Sequence, residues 1–569
     1  MSKLFEKVKL GGDVQSWRTK SYTMALIFVY SISLSNMYRL AILALALQAS
    51  MVAAMPANKD NAKRQMLPMA TTVINGKTSY LYGLAVSSIP ASLATQLQVP
   101  ALPTDIPLLP SETVVTYVQT TSTSVGFVPV SPVPAAPQAP VAPSTNFTDG
   151  FTGYRSVGYY PDWYVYDRKF NPDSVIVDQF THLIIPFADI RRNGEVYHVD
   201  KDGEFNNIYS KNPSTVGGAV HGVTEDLFRM KSQKRDLKLM LGIGGWTYSQ
   251  GPHQLPGEPG NFSLGCDTPE KRATFAKSAV QLVNDMGYDG VDIDWEYPRD
   301  ATEGQWLSDL VRLTRLELDG LSKRLGAGKF LLSVAVSVDP AKLALMNISE
   351  MDKHLDFWSV MGYDFAGTFS TITQHASNLF PTGDSKSAFS LSQGVDNYIN
   401  AGINPRKLNI GVPIYAHGFL NTDGFGSSFV QPQKEPPHGD WDQVGFYDYN
   451  SLEQKWIPDG ELFEDEEIGA AWLYSKNSRN LFSFDTPKIV EQKAKWMVER
   501  GLGGMMWWQL NADKFDVWSN NLIESAVRVM SRDNFEKAQN HLSYPNSKWP
   551  NIATPDNVLV VPVHPSFLV

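Results

Sequence analysis

Residues 288–298 read Tyr-Asp-Gly-Val-Asp-Ile-Asp-Trp-Glu-Tyr-Pro. In an extended strand alternate residues share a face. Asp292, Asp294 and Glu296 then point one way, and Val291, Ile293 and Trp295 the other. Neighbours on one face lie about 6.6 Å apart, so three carboxyls crowd one space. They cannot all be ionised comfortably, and at least one is expected to hold its proton unusually tightly. Glu296 ends the run, and a carboxyl kept protonated at the end of a strand is what a general acid requires. A solvated acidic loop would not alternate its carboxylates with Val, Ile and Trp. A divalent metal site is the competing reading, disfavoured because no His accompanies the acids; no metal and no cofactor are expected.

Other residues invite functional readings that have plainer alternatives. The stretch Leu241-Gly-Ile-Gly-Gly-Trp-Thr247 could suggest a phosphate loop, but no Lys or Ser/Thr follows at the required spacing. Close backbone approach accounts better for its glycines. Asp289 reads as a cap or bridge at the strand entrance. Trp163, Trp358 and Trp472 read as core, and Tyr415 could contact a ligand or merely pack. Cys266, the one cysteine, sits ahead of a helical pattern with no activating His or Lys and is expected to be inert.

The acid row needs a scaffold. Strands are expected at 156–160, 182–187, 238–243, 290–295, 330–338, 357–363, 408–414 and 504–508, with amphipathic helical patterns at 271–285, 305–325 and 488–499. Such alternation implies a parallel sheet covered by helices, and eight units in about 380 residues fit an α/β fold of the (β/α)8 TIM-barrel type. The mouth of such a barrel, at the carboxyl ends of its strands, is where its chemistry is built. The stretch 416–484 is too long for one loop and is expected to form a small α+β subdomain inserted before the last strand.

The chain has 569 residues, 49 Lys+Arg against 59 Asp+Glu, and a formal charge of −10. That balance disfavours a nucleic-acid partner, and a single cysteine excludes an intrachain disulfide. Near the N-terminus, Met37-Tyr-Arg39 followed by the apolar Leu40–Leu47 and by Val52-Ala-Ala54 reads as a signal peptide over 37–54, within a processing region spanning 1–64. A start at Met37 or Met24 and a retained signal anchor are both compatible with it. Residues 65–152 form a Pro/Ser/Thr-rich stalk or linker, 153–531 the barrel and 532–569 a C-terminal tail without a lipid-anchor signal. Sequons at Asn146, Asn261 and Asn347 fit a secreted glycoprotein. The expectation is an extracellular monomer, held at the cell wall if the stalk retains it.

Asp289-Gly-Val-Asp-Ile-Asp-Trp-Glu296 resembles the DxxDxDxE signature of glycoside hydrolase family 18, the chitinases and related endo-N-acetylglucosaminidases. The likeness recurs in Val157-Gly-Tyr-Tyr-Pro-Asp-Trp163, Thr181-His-Leu-Ile-Ile-Pro-Phe-Ala188, the Gly-Gly-Trp element, Met361-Gly-Tyr-Asp-Phe-Ala-Gly367 and Gly503-Gly-Met-Met-Trp-Trp508, and spans about two-thirds of the chain. Asn421-Thr-Asp-Gly424 and Ser483-Phe-Asp-Thr-Pro487 suit the fungal branch best. The resemblance implies chitin as partner and a substrate-assisted, retaining mechanism. Glu296 would be the acid, Asp294 would orient the substrate acetamide, Asp292 would share its proton, and Tyr363 would donate to the acetamide oxygen. Trp508 would floor the reacting sugar, with Tyr159, Gly244, Gly245, Trp246, Thr247, Tyr297, Met361, Gly362, Asp364 and Tyr415 lining neighbouring subsites. Departures from the pattern are Gly242 for a usual Ser, Gly362 for Ala or Thr, Tyr415-Ala-His417 for Tyr-Gly-Arg, and an enlarged loop at 251–265. The implied activity is an endo-chitinase of cell-wall remodelling. An endo-β-N-acetylglucosaminidase and a catalytically dead chitin-binding lectin are the alternatives, the first disfavoured by the insertion and the second by the presence of every acid.

Overall fold

A computed structural model describes residues 66–74, 77–84, 152–250, 259–383, 387–430, 439–515 and 520–554. The expected signal peptide, most of the stalk, the sequon at Asn146 and most of the enlarged loop fall outside them. The chain divides into two units, 1–132 and 133–569.

In the second unit eight buried strands pair in parallel: β1 (Arg155–Tyr159), β2 (His182–Ile190), β3 (Lys238–Gly244), β4 (Gly290–Asp294), β5 (Leu331–Ser337), β6 (Phe357–Met361), β7 (Leu408–Pro413) and β8 (Gly504–Trp508). Each neighbours the next, and β1 pairs with both β8 and β2, so the sheet closes on itself. This is the expected (β/α)8 barrel, with strands within two residues of the predicted bounds except β2, which runs on to Ile190. Its helices are specified locally. Thr268 caps Pro269–Met286 by accepting from Lys271 N–H, and Gly287 ends that helix at φ +68. Asp300 caps Ala301–Leu325 through Thr302 and Glu303 N–H. Caps of this kind stabilise by about 0.5–2 kcal/mol each.

Two layers form the core. Val157, Tyr159, Ile184, Met240, Ala335, Phe357, Met361 and Met506 fill the barrel interior. The outward residues of the same strands, Val291, Ile293 and Trp295 among them, join the larger layer between sheet and helices, where Trp295 stacks on Phe262 at 4.8 Å. The expected division of β4 into an acidic inner and an apolar outer face is therefore realised.

After β7, five antiparallel strands form the insertion, in the order Phe446–Asp448, Tyr415–Phe419, Asn480–Phe484, Ala470–Ser475 and Glu461–Asp465. Among the described residues its helical part is confined to single turns such as Tyr449–Ser451. Residues 534–553, read from sequence as tail, pack on the barrel instead. Tyr154 and Phe535 bridge, Asn540 Nδ2 donates to the carbonyls of Lys231 and Leu237 at 2.8 and 2.7 Å, and Tyr544 Oη donates to Tyr288 O at 2.7 Å. The polar, aromatic composition of that stretch hides its packing, because its partners lie some 300 residues away.

In the first unit, Met66–Ile74 and Lys77–Leu84 pair antiparallel, with Ile74 opposite Lys77. The stretch falls in the region read as stalk or linker, but Asn75-Gly76, a pair favoured in two-residue hairpin loops, stands between the strands in the sequence.

Candidate active site

The site is the mouth of the barrel, and β4 supplies its centre. In register, Gly242 and Gly244 of β3 lie beside Asp292 and Asp294, and Ser333 of β5 flanks Asp292 on the other side. Asp292 is fully buried and accepts from Tyr159 Oη at 2.7 Å and Ser333 Oγ at 2.6 Å. Burial pushes its carboxyl up to about 6, and the two hydroxyls hold it from rising further. Asp294 is 4% exposed and its Oδ1 has no hydrogen-bond partner among the described residues. Burial, then the charges of Glu296 and Asp292, raise it well above the usual carboxylate range.

Glu296 stands just past the strand. Its N–H donates to Ser249 Oγ at 2.8 Å, and its carbonyl accepts from Gln250 Nε2 at 2.5 Å. Burial and the charge of Asp364 push the Glu296 carboxyl up to about 7, against the Tyr297 hydroxyl and the Trp246 N–H, which favour its anion. It is thus poised between acid and base near neutrality. The peptide bond Glu296–Tyr297 is cis, as are Pro186–Phe187 within β2 and Trp508–Gln509 at the end of β8.

The remaining predicted residues surround this row. Tyr159 is 1% exposed, and its hydroxyl serves Asp292, so it supports the acids from below. Its ring meets Trp508 edge-on at 5.4 Å, and Phe187 stacks on Trp508 at 5.7 Å. Tyr363 is half-buried, with its hydroxyl 3.6 Å from Met506 Sδ. Burial and the surrounding carboxylates of Asp364, Asp294 and Glu296 raise its proton affinity. Asp364 is exposed at φ +59, and one of its oxygens receives Tyr415 Oη at 2.5 Å and His417 Nε2 at 2.7 Å. Met361 and Gly362 are buried beneath it, and a Cβ on Gly362 would lie 2.6 Å from Gly411 O. Gly244 and Gly245 turn the chain sharply at φ +109 and +72, where a Cβ would press 2.4 Å from Asp294 O or the Phe187 ring. That turn presents Trp246, 53% exposed, and Thr247 to solvent at the mouth.

Several readings change. Trp163, expected in the core, is 38% exposed and lies 6.4 Å from Phe187, extending the Phe187–Trp508 row. Trp358 is core, fully buried. Trp472 is half-buried in the insertion, stacked on Phe463 at 5.1 Å. Tyr415, left open, is 5% exposed and acts through Asp364. Asp289 belongs to the far end of the barrel, accepting from Lys231 Nζ at 2.9 Å, Leu239 N–H at 2.8 Å and His541 N–H at 2.8 Å. Cys266 is buried, and burial pushes its thiol above the ordinary range. Ser333, Ser249, Gln250 and Phe187 were not foreseen. Only Phe187, an aromatic in the second predicted strand, carried a local signal.

Residues 155–513 match the model of glycosyl hydrolases family 18. Chitinase 1 of Aphanocladium album is 33% identical over 406 residues, covering 70% of this chain and 90% of that protein. Endochitinase 1 of Metarhizium anisopliae is 32% identical over 403 residues, with the same coverage of 70% and 90%. Among solved structures, the catalytic domain of psychrophilic chitinase B from Arthrobacter TAD20 superposes with a TM-score of 0.57 at 25% identity, over 68% of this chain and 97% of that one.

Proposed function

The chain belongs to glycosyl hydrolases family 18, and from that membership we propose that it is a secreted, retaining endo-chitinase that cleaves β-1,4 bonds between N-acetylglucosamine units by substrate-assisted catalysis. The observation that carries the reading is the acid row itself: a carboxyl with proton affinity near neutrality, next to a buried carboxyl that has one oxygen unpartnered.

The division of labour follows from the hydrogen bonds. Glu296, protonated below about pH 7, gives its proton to the glycosidic oxygen as the bond to the anomeric carbon breaks. The acetamide carbonyl oxygen of the same sugar forms the new bond to that carbon, giving an oxazolinium ion and a free sugar hydroxyl on the leaving chain. Asp292 is pinned by Tyr159 and Ser333, whereas Asp294 Oδ1 is free to accept the acetamide N–H and balance the cation. The Glu296 carboxylate then takes a proton from water, whose oxygen opens the ring from the face the leaving chain vacated. Two displacements at one carbon return the β configuration. Trp508, backed by Phe187 and Tyr159, offers an apolar ring to the sugar's C–H face. A binding-only protein would have no use for a carboxyl tuned to about 7, and the antiparallel insertion after β7 suits a walled cleft for a linear chain.

Secretion rests on the apolar 40–47 run with its small-residue site, and a role at the wall rests on the Pro/Ser/Thr-rich stalk. Of the two described sequons, Asn347 is exposed, whereas Asn261 is half-buried with its amide on Asp189 at 2.7 Å, so Asn347 is the better acceptor. The test is to incubate the full chain and its Glu296→Gln variant with chitin oligosaccharides, following products by mass and anomer by NMR. The reading requires β-anomer product from the parent and its loss in the variant. Binding without cleavage would favour the lectin alternative, and trimming of a glycoprotein glycan alone would favour the endo-β-N-acetylglucosaminidase.

A further inference from the structure

Where β4 ends, the sheet stops holding the chain. The last register pairs of β4 are Asp294 with Gly244 of β3 and Ile293 with Val334 of β5. Glu296 lies past the last strand residue, Asp294, so its N–H and its carbonyl fall outside the ladder. Backbone groups removed from water need partners. Both partners of Glu296 are side chains, and both come from one turn.

That turn follows β3. The short helix Gly245–Ser249 begins at the Gly244-Gly245 bend, and Gln250 N–H closes it on Trp246 O at 3.1 Å. Ser249 is buried; its Oγ accepts the Glu296 N–H at 2.8 Å and donates to Asp294 O at 3.4 Å. One hydroxyl thus ties the acid to the end of its own strand. Gln250 Nε2 donates to the Glu296 carbonyl at 2.5 Å. The turn is braced from behind, because Gln250 bridges antiparallel to Pro259 and a Cβ on Gly260 would lie 2.0 Å from Ser249 O. The enlarged loop at 251–265, a departure from the family pattern, therefore has Gln250 at its start and Pro259-Gly260 within it gathered beside the acid.

We propose that Ser249 and Gln250 are positioning residues for the general acid, holding the peptide planes on either side of Glu296 and so fixing where its carboxyl meets the glycosidic oxygen. Their effect on turnover rests on the chitinase reading; their grip on the backbone does not.

The physics is one of remaining freedom. The Glu296 N–H belongs to the plane before its Cα, and the carbonyl to the plane after. Holding both planes fixes φ and ψ there and leaves the carboxyl only its side-chain torsions. A general acid must come within about 2.6–3.2 Å of the atom it protonates, and a misplacement of about 1 Å can cost ~10²-fold in rate. Ser249 and Gln250 spend their polar atoms on the Glu296 backbone, so they act through that residue and not on the sugar.

The test compares side chains of equal shape in the full chain. Ser249→Thr keeps the hydroxyl, and Ser249→Val has the same outline without it. Gln250→Met keeps the length of the side chain and loses the donor. Ser249→Val and Gln250→Met should each lower kcat on a chitin tetrasaccharide about five- to tenfold, the worth of one hydrogen bond. KM should stay within about twofold of the parent, because an interaction needed only for the chemical step is lost. Ser249→Thr should restore most of kcat. Equal losses in Thr and Val variants, or a kcat within about twofold of the parent in both Ser249→Val and Gln250→Met, would overturn the proposal. Should Ser249→Val not fold, Gln250→Met, at a half-buried position, decides alone. A second readout needs no substrate: hydrogen–deuterium exchange of peptides covering residues 294–300, referenced to barrel-strand peptides. Loss of the Ser249 hydroxyl should speed exchange of the Glu296 N–H about fivefold in Ser249→Val and not in Ser249→Thr; no difference between the two would also overturn the proposal. A parent that cleaves no chitin yet shows this exchange contrast would refute the chitinase reading and leave the grip on Glu296 standing.

Discussion

Strand β4 has buried acids at both ends, and they do opposite things. At the bottom, Asp289 is 1% exposed and surrounded by donors: the Lys231 ammonium at 2.9 Å and the backbone N–H groups of Leu239 and His541, each at 2.8 Å. At the mouth, Asp292 has only two hydroxyls, Asp294 leaves an oxygen without a partner, and Glu296 faces another carboxylate. Burial is similar, but the partners differ. A cation and peptide N–H groups make a buried carboxylate a clamp between strand, helix and C-terminal segment. Hydroxyls and like charges make it a proton reservoir. A buried acid is chemical when its surroundings withhold a counter-charge.

The largest expected effect breaks the mouth. Glu296→Gln should lower kcat about 10²–10⁴-fold, the scale of general acid catalysis, while its unfolding midpoint at pH 8 should equal or exceed that of the parent. The sign follows from linkage. The native carboxyl at about 7 binds a proton more tightly than the unfolded one, so it costs stability as pH rises from the ordinary carboxylate range through about 7. A variant that lost stability at pH 8 together with activity would make Glu296 structural and void the contrast.

Breaking the bottom should do the reverse. Asp289→Ala leaves the Lys231 ammonium buried without its anion and should cost about 3–5 kcal/mol in denaturant unfolding, with kcat per folded molecule unchanged. A collapse of kcat at intact stability would place chemistry at the wrong end of the strand.

Two smaller effects sharpen the comparison. The alkaline limb of kcat/KM should lie near pH 7, where Glu296 loses its proton, and Asp364→Asn should move it to lower pH, because the Asp364 charge helps hold that proton. A limb that stays put, or rises, would assign the proton affinity to burial alone. Smallest is His417→Ala. It removes one of two donors from Asp364 Oδ1 and should raise KM for oligosaccharides by a factor worth about 1 kcal/mol, with kcat nearly unaffected. Equal losses in kcat and kcat/KM would instead make the His417–Asp364 pair part of the transition-state machinery.

The barrel was legible because its signals are local. Runs of β-branched residues, Thr268 and Asp300 ahead of helices, and glycines after them each act within a turn. The acid row was legible for the same reason: a strand of period two must place Asp292, Asp294 and Glu296 on one face. Trp163 was misread because a large ring after a strand suits core or cleft equally, and only the position of Phe187 from β2 decides which. The Asn534–Ala553 segment was misread as tail because nothing in its own residues reports that Asn540 will meet the carbonyls of Lys231 and Leu237.

Chain-local geometry thus dictates which residues can act together: the alternation in β4, and the Gly244-Gly245 turn that sets Trp246 at the rim. Which of the acids acts is decided only in the folded barrel. There Tyr159 and Ser333 arrive from β1 and β5 to pin Asp292, no partner among the described residues reaches Asp294 Oδ1, and Lys231 and His541 converge on Asp289. The physical reason is range. Backbone period repeats every two residues, whereas the proton affinity of a buried group is set by charges and donors within a few ångströms in space, whatever their distance along the chain.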